Sequence, residues 1–324
     1  MIKNSVTEKG IKQQELIFYL VSLLVLLIAS NYLFNGGPGL QATRSSKELW
    51  NLGHIAYFAL LILLLGKLKF VANLSVKYQW SGFLFLTLML GVLIELLQFG
   101  TERTPDIADI LRDLTGCFLV LSFKSSYLKL LDPFWCNFIK VMATIILIIS
   151  MVPLMIALTD EMIARSQFPM LSNFETPFEI DRWYGKVSKE IVKLEPDSDS
   201  HQMKIELTTA HYSGVGMNYM PAYWEDYDSV YLKLYYPYDD VLNITVRIHD
   251  LEHEIGAYQY EYYDRYHGKF QLKKGWNEIK IPFEDVIAAV KKRKMNLTRI
   301  RDISFFSILL SEPKTIYLDK VYLQ

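Results

Sequence analysis

The sequence predicts a membrane α-helical bundle followed by an all-β sandwich. Two observations predict this class: long runs of Leu, Ile, Phe and Val dominate the first half, and short segments of alternating apolar and polar residues fill the second half. A length of 324 residues fits two domains. We therefore predict a transmembrane domain over 1–160, a linker over 161–167 and a β-sandwich over 168–324.

The charge balance of the chain excludes some classes of partner. The 34 Lys and Arg residues nearly equal the 35 Asp and Glu residues, so no field of one sign favours nucleic acid. The two cysteines, Cys117 and Cys136, lie in or beside apolar segments, which leaves the second half without a disulfide. This pattern is typical of a bacterial exported domain with a sufficient apolar core.

Five segments are long enough to cross the hydrocarbon layer, which takes roughly 17–25 residues. They are 16–34, 49–66, 80–99, 105–123 and 138–158. The fourth segment differs from the others because its first half is polar. The sequence therefore predicts five transmembrane helices, one of which carries charges into the membrane.

The basic residues between these segments predict their direction, because Lys and Arg concentrate in cytoplasmic loops. One side would hold Lys3, Lys9, Lys12, Lys67, Lys69, Lys77, Lys124, Lys129 and Lys140. The other side would hold Arg44, Lys47, Arg103 and Arg165. We therefore expect a multi-pass protein of the bacterial inner membrane with a cytoplasmic N-terminus and an extracytoplasmic sandwich.

Ionisable and polar side chains of the second, third and fourth segments lie at one predicted depth, near the outer surface. We call them the polar cluster: His54, Glu95, Gln98, Arg103, Asp106, Asp109 and Asp113. Helical spacing puts Asp109, Asp113 and Gly116 on one face, and Gly116 permits a close helix approach. Because charges at this depth cost several kcal/mol unless they are paired, we expect these faces to meet.

The same residues resemble the VanZ-like membrane family. The resemblance rests on "HIAY" from His54, "ELLQ" from Glu95, "RTPD" from Arg103 and "DILRDLTG" from Asp109. It implies a small helical bundle in a bacterial membrane, and the founding member of the family is associated with low-level resistance to teicoplanin. The family usually has Asn where this chain has Asp113. We expect this extra carboxylate to be protonated, or paired with Arg112 or Arg103.

The polar cluster permits four interpretations. Gln98, Arg103, Asp106 and Asp113 could bind a lipid-linked or glycan ligand, since charges inside a membrane usually serve function. The other three residues (His54, Glu95 and Asp109) could perform acid/base catalysis on a lipid-linked envelope precursor, or hold a divalent metal. Alternatively, the cluster is an ion-pair network that fixes helix packing, and the bundle is only an anchor.

The second half carries strand patterns with near period-two alternation. They are residues 204–209, 229–236, 243–250, 277–283 and 315–323. Many short strands of this kind predict a β-sandwich. Residues 281–295 predict one short helix whose basic face is solvated.

Three phrases of this half resemble jelly-roll carbohydrate-binding modules of the galactose-binding-like fold. They are "LSNFETPFEIDRWYG", "KKGWNEIKIPFEDV" and "IYLDKVYL". The resemblance implies a jelly roll in which Glu175 and Asp319 help to hold a structural Ca²⁺. The alternative is that both are surface carboxylates.

Two segments, 217–227 and 258–268, are rich in Tyr and Trp. Exposed rings can stack on the apolar faces of sugars, whose hydroxyls need polar neighbours. The predicted ligand-binding rings are Tyr219, Tyr223, Trp224, Tyr262, Tyr263 and Tyr266. We expect Trp183 and Trp276 to pack in the core. The predicted partners are therefore the lipid bilayer, an envelope glycan and a lipid-linked precursor.

Overall fold

The first half of the chain is helical and the second half consists mainly of β-strands. The computed structural model describes residues 17, 19–31, 37–39, 42–98, 106–124, 128, 131–193, 200–257 and 261–324. The chain divides into two compact units, Met1–Met155 and Ile156–Gln324. We describe each unit by itself.

The helices of the first half follow the apolar segments. They are α1 (Tyr19–Asn31), α2 (Arg44–Leu65), α3 (Lys69–Ala72), α4 (Val76–Gln98), α5 (Ile107–Lys124) and α6 (Pro133–Gln167). Among the described residues, three helices are long and apolar enough to cross a membrane: α2, α4 and α6. The apolar helix α1 is shorter, and α5 carries charges in its first half. Three of the five predicted spans therefore form helices that are long and apolar enough to cross a membrane.

The ends of α2 and α5 show why these helices begin where they do. Thr43 precedes α2 and its side chain accepts a hydrogen bond from the Ser46 amide at 3.2 Å. Asp106 precedes α5 and its Oδ1 accepts from the Ala108 amide at 2.9 Å. Both side chains satisfy amides that have no partner inside the helix.

Helix α6 is longer than a membrane span requires. Its 35 residues extend for about 52 Å, whereas the hydrocarbon layer is about 30 Å thick. Residues 161–167, which we predicted as a linker, form its last turns. The division into units falls within this helix, after Met155.

The second unit contains two antiparallel sheets. Its strands are β1 (Met170–Ser172), β2 (Trp183–Tyr184), β3 (Ser188–Lys193), β4 (His201–Leu207), β5 (Tyr212–Met217), β6 (Ser229–Tyr236), β7 (Leu242–Asp250), β8 (Tyr266–Leu272), β9 (Gly275–Pro282), β10 (Ile300–Ile308) and β11 (Lys314–Leu323). The first sheet has the order β3-β4-β11-β6-β9, with β1 also paired to β11. The second sheet has the order β2-β5-β10-β7-β8. Two short helices, α7 (Glu252–Ile255) and α8 (Phe283–Ala289), interrupt the strands.

Alternation along the strands builds the core between the two sheets. On β6, Leu232 and Leu234 are buried, while the residues between them face outward. Val246 on β7 and Phe305 on β10 belong to the same core. Trp183 is buried there against Phe305, as predicted.

Trp276 does not lie in the core, contrary to our prediction. It is 41% exposed and stands on β9 opposite Tyr235, whose side chain also faces outward. The core-facing residues of β9 are Ile279 and Ile281. Since successive strand residues point to opposite faces, an even-numbered residue of β9 must point away from the core.

The five predicted strand segments coincide with β4, β6, β7, β9 and β11. The predicted helix over 281–295 is found only as α8. Beyond α8, Arg293 is not a solvated side chain: its guanidinium bonds Asp250 Oδ1 at 2.6 Å and Asp264 Oδ2 at 2.8 Å. Both carboxylates are buried, so Arg293 joins three loops at one edge of the sandwich.

A buried ion pair lies near the start of the second unit. Arg182 is fully buried, and its Nε lies 3.0 and 3.1 Å from the two carboxylate oxygens of Asp160 on α6. Its Nη1 donates to the Leu171 carbonyl oxygen at 2.9 Å. These bonds fix the end of α6 to the first strand of the unit.

Candidate functional site

The polar cluster of the helices centres on a buried histidine. His54 on α2 is 1% exposed, and its Nδ1 lies 2.9 Å from Oδ1 of Asp113 on α5. Its Nε2 lies 3.6 Å from Oδ2 of Asp109, one turn earlier on the same helix. The partner of Asp113 is therefore His54, whereas we expected Asp113 to be protonated, or paired with Arg112 or Arg103. Arg112 pairs instead with Asp109, and Arg103 lies outside the described residues.

Two glycines allow the three helices to approach this closely. A Cβ on Gly116 of α5 would collide with the backbone carbonyl oxygen of Ile55 on α2. A Cβ on Gly91 of α4 would lie 2.8 Å from Asp113 Oδ2. The predicted role of Gly116 in close packing agrees with this geometry.

Glu95 and Asp106 are joined to each other rather than to His54. The backbone amide of Asp106 donates to Glu95 Oε2 at 2.7 Å, which places a carboxylate at the start of α5. Asp106 Oδ2 lies 3.8 Å from Nη1 of Arg112. Gln98 is buried at the end of α4. Glu95 of α4 thus fixes the start of α5 by accepting a hydrogen bond from its backbone.

The chemistry available to this cluster is limited to proton transfer and charge stabilisation. His54 has a carboxylate beside each ring nitrogen, so one carboxylate can orient the ring while the other interacts with the second nitrogen. Among the described residues, no three His, Cys, Asp or Glu side chains are positioned to hold a metal ion. The residues present therefore do not fit the divalent-metal alternative.

The carboxylates predicted to hold a structural Ca²⁺ are bonded to nitrogen and hydroxyl donors of the protein. Glu175 Oε1 accepts from the His201 amide at 3.0 Å, and Oε2 lies 3.0 Å from its Nδ1. The hydrogen bond from the His201 ring holds the pKa of Glu175 below its usual value. Asp319 lies 3.0 Å from the Lys233 ammonium and accepts from Ser200 Oγ at 3.2 Å. Both carboxylates are therefore bonded to donors of the protein, and Lys233 places a positive charge beside Asp319; Ca²⁺ binding here stays a prediction.

Two of the predicted sugar-binding rings are buried. Trp224 is fully buried, stacks on Phe283 with ring centroids 5.6 Å apart, and donates from Nε1 to the Pro221 carbonyl oxygen at 2.9 Å. Tyr266 belongs to the core as the first residue of β8. Neither ring lies on the surface, because each packs in the core of the sandwich.

The other predicted rings are accessible. Tyr223, Tyr262 and Tyr263 are exposed, and Tyr219 is half-buried. The Lys291 ammonium lies 4.5 Å above the ring of Tyr263. Tyr262 stacks on His267 of β8, with ring centroids 4.2 Å apart and ring planes 9° apart.

Tyr262 stands beside a row of residues that crosses the outer surface of the second sheet. Strand pairing places Tyr184 opposite Gly216, Gly216 opposite Ser304, Ser304 opposite Arg247, and Arg247 opposite His267. Asp302 and His249 form the next pair along the same face. We call this surface the polar face: Tyr184, Gly216, Ser304, Arg247, His267, Asp302 and His249.

Tyr184, Arg247 and Asp302 form the hydrogen-bonded centre of the polar face. The Tyr184 hydroxyl donates to Asp302 Oδ1 at 2.6 Å. Arg247 Nη2 lies 3.1 Å from that hydroxyl and 3.3 Å from Asp302 Oδ2. Burial and the Asp302 carboxylate raise the pKa of Tyr184, so its hydroxyl stays protonated. The ring lies flat against the sheet because Gly216 has no side chain: a Cβ there would meet Tyr184 Cζ at 2.5 Å.

The pKa of His267 reflects the electrostatic environment of this face. Burial, followed by the nearby charges of Arg265 and Arg247, lowers its pKa to about 4. The ring is therefore neutral at physiological pH. It provides a flat support for Tyr262, whose side chain is 55% exposed.

The central residues of the polar face were not predicted from the sequence. A signal was present in β7, where Asn243, Thr245, Arg247 and His249 are the polar members of an alternating strand. The pattern identified the strand, but no local pattern shows that Tyr184 and Asp302 lie beside it. Those neighbours come from strand pairing across four strands.

The outer surface of the first sheet is also rich in aromatic rings, but these rings contact one another. Tyr231 stacks on Tyr322 with centroids 5.0 Å apart, and Tyr235 packs against Trp276 at 5.2 Å. The Lys233 ammonium lies 4.5 Å above Trp276. Cross-strand pairs of this kind stabilise a sheet.

No family model and no curated protein matches the chain. The VanZ-like resemblance of the first half therefore rests on its motifs alone. Similar solved structures include a family 11 carbohydrate-binding module from Clostridium thermocellum in complex with a β-1,3-1,4-mixed-linked tetrasaccharide, which is 16% identical, with a TM-score of 0.35, and covers 48% of this chain and 93% of that chain. A non-crystalline-cellulose-specific module, CBM28, is 13% identical, with 48% and 93% covered and a TM-score of 0.35. An exo-β-agarase is 15% identical, with 48% and 25% covered and a TM-score of 0.37.

Proposed function

We propose that this protein is a bacterial cell-envelope membrane protein whose sandwich binds a glycan on the polar face. The observation that carries the proposal is the exposed ring of Tyr262, stacked on His267 beside the hydrogen-bonded Tyr184, Asp302 and Arg247. Apolar ring faces and oriented polar groups stand together on this surface. A saccharide needs both.

The physical argument rests on the two faces of a sugar ring. The C–H face of a pyranose stacks on an aromatic ring, and its hydroxyls require donors and acceptors of fixed direction. Tyr262 supplies an exposed ring, and the partly exposed guanidinium of Arg247 supplies hydrogen-bond donors. These groups stand on strands or next to them, so little conformational entropy is lost when a ligand binds.

The apolar helices and the basic-residue asymmetry support a position for the sandwich outside the cell membrane. In that arrangement the polar face would meet envelope glycans, and the helical bundle would engage a lipid-linked ligand at the outer leaflet. The VanZ-like motifs of the bundle suggest a connection with glycopeptide resistance.

The proposal is tested with the full chain in phosphatidylcholine nanodiscs on an array of bacterial and plant glycans. Wild-type protein should bind a defined subset, and Tyr262→Ala should lower the affinity about tenfold, in line with the worth of an aromatic contact. Tyr223→Ala is the matched control, because Tyr223 is also an exposed tyrosine and its hydroxyl bonds Glu225 and Asp226 of its own loop. Binding that depends on Tyr223 and not on Tyr262 would place the site elsewhere, and no binding at all would reject the proposal.

A second candidate function is acid/base catalysis on a lipid-linked precursor within the bundle. The position of His54 between Asp113 and Asp109 favours it. Cells that express wild-type protein or His54→Gln at equal membrane levels would be compared for teicoplanin susceptibility and for accumulated lipid-linked precursors. A changed precursor pool with an intact bundle supports catalysis or binding. Unchanged teicoplanin susceptibility and unchanged precursor levels favour a bundle that only anchors the sandwich.

A further inference from the structure

Arg265 is a cation that the protein leaves largely unbalanced. It is half-buried and directly precedes β8, two residues before His267, which pairs with Arg247 of β7. Its Nε is buried and has no hydrogen-bond partner within the described part of the chain. Burial and the charge of Arg247 hold the pKa of Arg265 below its ordinary value, although the guanidinium remains charged.

The carboxylates of the polar face are already committed to other groups. Asp302 receives the Tyr184 hydroxyl and lies 3.3 Å from Arg247. Glu254 lies 3.3 Å from His249 Nε2 and 3.2 Å from Arg301 Nε. Three guanidiniums, of Arg247, Arg265 and Arg301, therefore face two carboxylates in this described cluster.

The neighbouring imidazoles are consistent with a positive local potential. The low pKa of His267 arises from burial and from Arg265 and Arg247, and burial lowers the pKa of His253. Neutral imidazoles add no charge at physiological pH, so the excess cation is Arg265. A like-charged, partly desolvated arginine pair is costly unless an anion approaches it.

We infer that the saccharide bound on the polar face carries a carboxylate or sulfate group, held by Arg265 together with Arg247. This inference rests on the proposed glycan-binding function and names its ligand class. A guanidinium presents its N–H groups in a planar fork that matches the paired oxygens of such anions. Tyr262 stacks on His267, two residues along the chain from Arg265, so one sugar unit can stack on the ring while its acidic group reaches the arginines.

The experiment measures binding of the full chain, in phosphatidylcholine nanodiscs, to matched acidic and neutral oligosaccharides. One pair is tetragalacturonate and its methyl ester, and the other is a sulfated galactan tetrasaccharide and its desulfated form. At least one acidic member should bind about tenfold more tightly than its neutral partner, as expected for a charge-assisted hydrogen bond. That preference should decrease as NaCl concentration rises.

Variants of Arg265 test whether this residue causes the preference for acidic saccharides. Arg265→Gln should remove the acidic preference and leave binding of the neutral partner unchanged, and Arg265→Lys should retain part of it. Lys280→Gln is the matched control, since it removes one positive charge from β9 of the first sheet. Thermal unfolding of each variant establishes that the sandwich is intact.

The outcomes separate this inference from the function on which it rests. Equal affinity for acidic and neutral members, or a preference that survives Arg265→Gln in a folded protein, would overturn the inference and leave glycan binding standing. Wild-type protein that binds no member of either pair or of the wider array would reject the proposed function itself.

Discussion

His54 Nδ1 and Asp113 Oδ1 lie 2.9 Å apart, and both side chains are 1% exposed. The pair joins α2 to α5 through two buried side chains. A buried ion pair adds little net stability, but a buried carboxylate without its partner is costly. His54 is therefore the group that allows an Asp at this position.

The first prediction concerns the removal of this partner. His54→Ala should lower the free energy of unfolding of the bundle by about 3–5 kcal/mol, because Asp113 remains buried without a donor. The double variant His54→Ala/Asp113→Ala removes both polar groups and should recover part of that loss. Thermal unfolding in detergent micelles measures both. A single variant as stable as the wild type would contradict the pairing.

The second prediction concerns the close approach of α2 and α5. Gly116→Ala should destabilise the bundle by about 1–3 kcal/mol, since the added methyl group collides with the Ile55 carbonyl oxygen. Gly53→Ala is the matched control, because a Cβ there has nothing within 4 Å. Gly53→Ala should be neutral or stabilising by up to about 1 kcal/mol, as expected for a helix interior. Equal effects of the two substitutions would contradict the packing argument.

The fold could be predicted from sequence where the pattern along one element was enough. Strands such as β7 show clear alternation between buried and exposed residues, and their segments were identified correctly. Strand β10 was missed because its alternation covers only Asp302 to Phe305: Arg301 precedes Asp302, and Phe306 follows Phe305. Strand β5 was missed as well, since Gly214 and Gly216 disfavour a strand assignment.

The sites depend on pairing between elements that are distant in sequence. Hydropathy placed His54 and Asp113 at one depth, but it could not give the rotation of α2 against α5, which depends on Gly116. The polar face combines residues from 184 to 304 whose neighbours are set by register. Aromatic composition therefore selected Trp224, which is in the core, and overlooked Tyr184.

The third prediction concerns the buried pair of Arg182 and Asp160. Arg182→Met should destabilise the sandwich by about 3–5 kcal/mol, because Asp160 stays buried and loses its guanidinium partner. Arg182→Met/Asp160→Leu should recover much of this loss, since both charges are gone. Fluorescence of the adjacent buried Trp183 follows unfolding in denaturant. A double variant no more stable than the single one would show that the charge pairing is not responsible.

The matched control for this pair is a surface ion pair of the same unit. Lys204 lies 2.9 Å from Glu190 Oε1 on the neighbouring strand, and Glu190 is exposed. Lys204→Met should change the unfolding midpoint little, because exposed ion pairs are screened by water and salt. A large effect there would mean that any charge removal destabilises the sandwich.

The fourth prediction concerns pH and His267. Burial and the two nearby arginines lower its pKa from 6.5 to about 4 in the folded protein. Between these two pH values the His267 ring binds a proton in the unfolded chain but not in the folded protein. The contribution of His267 to stability is therefore greatest above pH 6.5 and decreases as the pH falls towards 4. For a fully buried ring, this difference in pKa would correspond to a loss of stability of about 3 kcal/mol. Solvent screens the half-buried ring of His267, which reduces the expected loss to about 1–2 kcal/mol.

The substitution His267→Gln isolates this contribution from that of the carboxylates. The variant should lose about 1–2 kcal/mol less than wild type when the pH is lowered from about 7 to 4, because glutamine binds no proton. Lys269→Gln, an exposed substitution on the same strand, tests whether any lost positive charge has the same effect. Denaturant unfolding at a series of pH values measures the slopes. Parallel slopes for wild type and His267→Gln would mean that the ring is not held neutral by Arg265 and Arg247, and the positive potential inferred for the polar face would lose its support.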